Sequence, residues 1–179
     1  MSAPTPSARR RVCLISTGGT IEKTYDELAG VLTNEVSILR VMLTRLELRG
    51  IEVEQLPLMN KDSLDMTPAD HDLIARTALE RAGACDGVVV VHGTDRLAVT
   101  GERIHSLAPL PPAPIVLTGA MRPYALRTTD ALQNLTEALL AVQLAPPGVY
   151  VSMHNQLLAF PGVVKDAAHG VFVGGRRVP

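Results

Sequence analysis

The 179-residue sequence contains no tryptophan, three tyrosines and two phenylalanines. A core so poor in rings must be packed from aliphatic side chains and alanine. The same scarcity argues against a nucleic-acid surface, which needs stacking rings beside a basic stripe. The basic clusters, Arg9, Arg10 and Arg11 and then Arg176 and Arg177, lie at the two ends, and the net charge is −1. No nucleic-acid partner is expected.

Cysteine is also scarce. Cys13 and Cys85 form no CxxC or metal-ligand pattern. They are expected to be buried, reduced thiols, with a reducing cytoplasm as the default location. The five histidines show no paired spacing, so neither a metal nor a cofactor is expected. No apolar run approaches the ~20 residues of a membrane-spanning helix, and the run after Arg11 is too short for a signal peptide. Residues 1–10 are expected to be a disordered tail, and residues 11–179 a single domain.

Hydrophobic residues make up 46% and charged residues 20%, the balance of a globular core. Strand and helix signals alternate. Val12 to Ile15 is a first strand. Val36, Leu39, Met42, Leu43 and Leu46 recur at helical spacing, and Gly50 stops that helix. Ile51 to Leu58 is a second strand. Thr67 caps a helix with Pro68 in its first turn, Asp70 as reciprocal partner, and Leu73, Ile74, Ala78, Leu79 and Ala82 on its apolar face. Val88 to Val91 is apolar on both faces, as a central parallel strand requires. A helix over about 97–107, a strand at 115–117, a helix capped by Thr128 or Thr129 and a strand at 149–151 follow. Residues 157–173 are less regular and read as short strands or a hairpin.

This order predicts an α/β fold: three layers, α/β/α, around a mostly parallel flavodoxin-like or Rossmann-like sheet. With strand order 2-1-3-4-5, strands one and three are neighbours at the switch point, where such sheets gather ligands. Both strands end in a Gly-Thr turn. One is Ser16-Thr17-Gly18-Gly19-Thr20; the other is His92-Gly93-Thr94-Asp95. Two hydroxyls then flank one crevice. A threonine is a poor nucleophile until a base removes its proton, and Lys165 is a candidate base. Asp95 either holds that lysine, grips a substrate amine or caps a helix. His92 is assigned a supporting role in orienting its turn.

These motifs carry a resemblance. Leu14 to Ile21 resembles the first signature of the bacterial-type L-asparaginase family, and Gly87 to Leu97 the second. Thr118-Gly119-Ala120-Met121-Arg122-Pro123, with Asp130 and Asn134-Leu135, is similar to the loop and segment after that family's fourth strand. The resemblance implies an asparaginase N-terminal domain that hydrolyses L-asparagine to L-aspartate and ammonia. It implies Thr20 as nucleophile, Tyr25 on a lid as its activator, and Thr94, Asp95 and Lys165 as a second catalytic set. Substrate contacts would come from Gly19, Ser63, Gly93, Thr94, Asp95 and the Ala120 carbonyl. A homo-oligomer, dimer or tetramer, is also implied. The sequence ends where the family's second domain would begin, so it looks like a short-chain form. Glu22, Leu64 and Arg96 depart from the family pattern. Two other functions fit some of the residues: a non-catalytic amino-acid-binding module or amidotransferase component, and a phosphate or nucleotide binder resting on the Gly turn alone.

Overall fold

The structure is a computed structural model describing residues 8–26, 31–33 and 38–178, with the backbone path alone described at 24–26 and 31–33. The expected tail falls largely outside the described residues; Arg10 already opens the first strand. The elements in chain order are β1 (Arg10–Ser16), β2 (Thr24–Asp26), β3 (Val31–Thr33), α1 (Ile38–Leu43), β4 (Ile51–Pro57), α2 (Pro68–Ala82), β5 (Gly87–Val91), α3 (Leu97–Leu107), β6 (Ile115–Thr118), α4 (Ala131–Leu144), β7 (Val149–Met153), β8 (Gln156–Asp166) and β9 (Val171–Arg177). Short 3-10 turns follow β1, at Thr20–Glu22, and β4, at Ser63–Asp65.

The main sheet runs β4-β1-β5-β6-β7-β8-β9. Its first five strands are parallel, and β8 and β9 are antiparallel additions. The parallel part therefore has the 2-1-3-4-5 order on which the meeting of the two turns was conditional, with β1 and β5 paired from Val12↔Gly87 to Ser16↔Val91. Period-2 alternation divides the strand side chains between two cores. Cys13, Ile15, Val88, Val90, Ile115 and Leu117 face the cluster that includes Ile74, Ala78 and Ile104. Val12, Leu14, Val89, Val91 and Val116 face the cluster that includes Leu39, Met42, Leu135 and Leu139. Helices thus cover both faces, which is why these strands are apolar throughout.

Local chemistry sets several boundaries. Thr67 and Asp70 form a full capping box at the start of α2, with Pro68 in the first turn; such a cap stabilises a helix by about 1 kcal/mol. Leu73, expected on the apolar face, is 47% exposed. The buried face instead runs through His71, Ile74, Ala75, Ala78 and Ala82, the i, i+3, i+4, i+7 set that starts one position away from Leu73's row. The helix expected up to Gly50 ends at Leu43. There the Arg45 and Leu46 amides bond three residues back, to Met42 and Leu43, which tightens and ends the coil. Val36 lies outside the described residues. At α4 the capping position is Asp130, whose side chain makes no cap bond; the Thr129 hydroxyl accepts from the Ala131 amide.

The least regular part of the sequence forms the longest strand. His154 and Asn155 both have positive φ, 53° and 60°, and sit between the paired residues Met153 and Gln156. This is the two-residue hairpin connection whose backbone matches strand twist. After a register irregularity between Ala159 and Val163, β8 lies across α3. Phe160 occupies the space left by Gly101, where any side chain would collide with its ring. The Gly162 amide donates to Glu102. This crossing carries the end of β8 to the N-terminal end of α3. Among the described residues no helix is long and apolar enough to cross a membrane.

Candidate active site

The loops after β1, β4, β5 and β6 converge at the carboxyl ends of the parallel strands. Backbone bonds lace them together. The Thr17 amide and hydroxyl both donate to the Val91 carbonyl, at 3.1 and 2.9 Å. Lys61 N–H donates to Thr17 O, and His92 N–H to Thr118 O.

The contact between the two Gly-Thr turns depends on missing side chains. Gly19 has φ 85° and ψ −175°, a region open essentially to glycine alone. A Cβ there would lie 2.5 Å from the Gly93 Cα and N. A Cβ on Gly93 would in turn lie 2.6 Å from the Ser63 hydroxyl oxygen. Gly93 is therefore packed between Gly19 and Ser63. Ser63 is buried, and its Oγ accepts from the Arg96 amide at 3.4 Å. Leu64 points outward and is 59% exposed.

Lys165 reaches the second turn across 71 residues of sequence. Its Nζ donates to Thr94 Oγ1 at 2.9 Å and to Asp95 Oδ1 at 2.6 Å. Thr94 is buried and Asp95 exposed, so the lysine bridges the floor of the crevice to its mouth. Asp95 does not cap α3, whose capping position is Arg96 without a side-chain bond. Thr20 opens the 3-10 turn after Gly19 and is partly exposed. Tyr25 lies on β2, opposite Leu32. Its side chain, and residues 27–30 of the expected lid, fall outside the described residues. Ala120 is buried in the loop after β6.

His92 has no nitrogen free for the crevice. Nδ1 lies 2.8 Å from the Gly93 carbonyl, which can only accept. Nε2 must then accept from Thr100 Oγ1 at 2.8 Å, and that hydroxyl oxygen faces His71 Nδ1 at 2.6 Å. Burial drives the His92 pKa down to about 4. The ring stays neutral at pH 7 and can keep this pattern, holding the Gly93 carbonyl from below.

The contact of Glu22 carries no signal in the sequence. The residue is buried, and its Oε2 accepts from the Gly18 amide at 3.1 Å, bracing the Thr20 turn. Burial raises its carboxyl above the ordinary value, partly opposed by the Gly18 bond. The folded state therefore binds this proton more tightly than the unfolded chain. Stability is lost as pH rises from the unfolded value through the raised one. Glu22→Gln keeps an oxygen for Gly18 without the charge. It should melt above wild type at pH 7, with the difference closing by about pH 4. Melting curves across that range check this; a constant difference would refute it. Lys23 adds a second brace, an ion pair to Asp62 at 2.8 Å. Lys23 belongs to no motif and Glu22 stands in the sequence only as a departure from the family pattern; the tertiary contacts give both their place.

Among the described residues no three His, Cys, Asp or Glu side chains gather as metal ligands. The site offers hydroxyls, one ammonium, one carboxylate and backbone amides. That set suits nucleophilic attack on a polarised carbonyl.

Comparison with known proteins places this geometry in a family. Residues 11–171 match the family profile described as "Asparaginase, N-terminal". The L-asparaginase of Thermococcus kodakarensis is 33% identical over 162 residues, covering 90% of this chain and 49% of that protein. A glutamyl-tRNA(Gln) amidotransferase component from Aeropyrum pernix is 35% identical over 162 residues, covering 87% of this chain and 38% of that one. The solved structure of the thermostable T. kodakarensis L-asparaginase superposes with a TM-score of 0.82 at 32% identity, covering 92% of this chain and 51% of that one. The chain thus spans about half or less of the length of these relatives. The profile match, the shared fold and two Gly-Thr turns packed at one crevice together make this chain a member of the asparaginase family.

Proposed function

We propose that the chain is an amidohydrolase that converts L-asparagine to L-aspartate and ammonia. The observation that carries this reading is Lys165 Nζ bonded to both Thr94 Oγ1 and Asp95 Oδ1 beside the Thr20 turn. The reactive form has Lys165 unprotonated. The Thr94 hydroxyl then donates to Nζ along the same 2.9 Å line, and Asp95 stabilises the ammonium that results. Thr20 Oγ1 attacks the side-chain carbonyl, with Tyr25 as its activator. The C–O bond forms as the Thr20 proton passes through Tyr25 to the side-chain nitrogen, the C–N bond breaks, and ammonia leaves. Thr94, its own proton drawn to Lys165, then takes a proton from water; the hydroxide adds to the acyl carbon, the bond to Thr20 Oγ1 breaks, and the proton returns to that oxygen as aspartate leaves. Asp95 also holds the substrate α-amino group, and Ser63 the α-carboxylate. Gly19 and Gly93 let the substrate approach the backbone, and the Ala120 carbonyl receives the side-chain amide.

The reaction draws on no metal or cofactor. The working form is a homo-oligomer; Leu140 and Leu144 on α4, 55% and 74% exposed, border a groove of about 680 Å³ and offer an apolar contact. The free thiols of Cys13 and Cys85 suit a reducing cytoplasm. A coupled assay of ammonia release from L-asparagine tests the activity. Binding of asparagine without release would overturn it.

The similarity to the glutamyl-tRNA(Gln) amidotransferase component supports a second reading, a chain that works with a partner protein. In that case ammonia release appears only when the partner is added.

A further inference from the structure

The face of α4 that begins at Asp130 does more than pack. Asp130 is buried and accepts from the Met121 amide at 3.0 Å and the Arg122 amide at 2.9 Å, just after Ala120. Asn134, one turn on, is fully buried. Its Nδ2 donates to the Gly119 carbonyl at 3.0 Å and to Asp130 at 2.9 Å. Residues on both sides of Ala120 are therefore fixed by two side chains of one helix. The third member comes from the β7–β8 hairpin. His154 Nε2 lies 2.7 Å from Asp130 Oδ2, and the His154 amide donates to Asn134 Oδ1 at 3.1 Å. Burial alone would raise the Asp130 carboxyl, but the Met121, His154 and Arg122 donors outweigh it and hold it below the ordinary value. The carboxylate thus keeps its acceptor role at neutral pH.

A polar cluster this buried is costly unless every member is paired. Here the pairing fixes the direction of one peptide. Gly119 adds a steric limit, since a Cβ there would strike the His92 carbonyl. Clamped at Gly119, Met121 and Arg122, the Ala120 carbonyl has little freedom to turn.

We propose that His154, through Asp130 and Asn134, is a positioning residue that makes the crevice discriminate a side-chain amide from a carboxylate. The inference rests on the asparaginase reading, in which the Ala120 carbonyl faces the substrate's side-chain nitrogen. An amide has an N–H to give that carbonyl. A carboxylate has none, and two acceptors face each other. A fixed carbonyl favours the first and disfavours the second; a loosened one loses the difference.

The test compares Kd for L-asparagine, measured in a Thr20→Ala background, with Kd for L-aspartate. His154→Gly removes the ring and suits the positive φ. It should weaken asparagine about five- to tenfold, the loss of roughly one well-placed hydrogen bond, and leave aspartate within about twofold. His154→Asn accepts the same backbone but stops short of Asp130, and should give the same split. His154→Gln, whose amide reaches about as far as Nε2, should restore most of the preference. Equal weakening of both ligands would mean a merely structural role and overturn the proposal, as would no change in either. A wild-type chain that binds asparagine without hydrolysing it defeats the catalytic reading, yet the ratio of the two affinities still decides this one. Failure to bind asparagine at all overturns both.

Discussion

Lys165→Met lowers kcat for L-asparagine by about 10³–10⁴-fold and does not weaken L-aspartate binding. The size is that of losing a positioned general base together with the charge that supports it. The lysine touches both partners of its set, at 2.9 and 2.6 Å, and methionine fills the same space without a donor or a base. Thr94→Ala should fall in the same range, and the double variant should be no slower than the worse single, because groups acting as one unit are not additive. Thr20→Ala should abolish steady-state turnover by a different route, removing the attacking oxygen itself. Initial rates and aspartate titrations on the four proteins check the set. A Lys165→Met chain retaining a tenth of wild-type turnover would show that the base lies elsewhere.

Gly19→Ala should lower stability by about 2–6 kcal/mol. Two costs add. The alanine must hold a backbone conformation worth roughly 1–3 kcal/mol of strain. Its methyl group must also displace the Gly93 backbone from 2.5 Å, an overpacking cost of typically about 1–3 kcal/mol. For a domain of this size the fall in Tm is on the order of 10 °C. Activity should fall further than stability, because the methyl group separates the two turns. Gly83→Ala is the control. Gly83 is in right-handed backbone at the end of α2, and its Cβ would meet only the Glu80 carbonyl at 3.4 Å. It should be neutral within about 1 kcal/mol. Similar losses at both positions would refute the argument from turn contact.

Where local rules dominate, the sequence is legible. The capping box of α2 and the end of α3 just before Pro109 follow from nearest-neighbour chemistry. The placement of β5 between β1 and β6 follows from its being apolar on both faces. The packed Gly-Thr turns follow from a strand order that the sequence leaves as an assumption: crossover handedness narrows the topologies without choosing among them, and the observed sheet supplies the choice. Leu73 was misplaced because a helical period fixes the spacing of a face but not its phase against a neighbour. Asp130 was read as part of a motif, yet its carboxylate serves the loop before it instead of the helix it starts.

The α/β class and the identity of the two glycine turns are legible in the sequence, because each rests on periodicity or on backbone rules a few residues long, whereas the strand order enters there only as an assumption that the structure fills in. The brace of Glu22 on the Thr20 turn and the joining of His154 to Asp130 and Asn134 are visible in the tertiary structure alone, and the meeting of Lys165 with Thr94 and Asp95, which the family resemblance implies, has its geometry only there. Those contacts depend on how β8 crosses α3 at Gly101 and how α4 lies along the sheet. They are fixed by packing between segments far apart in the chain, for which no local spacing carries a signal.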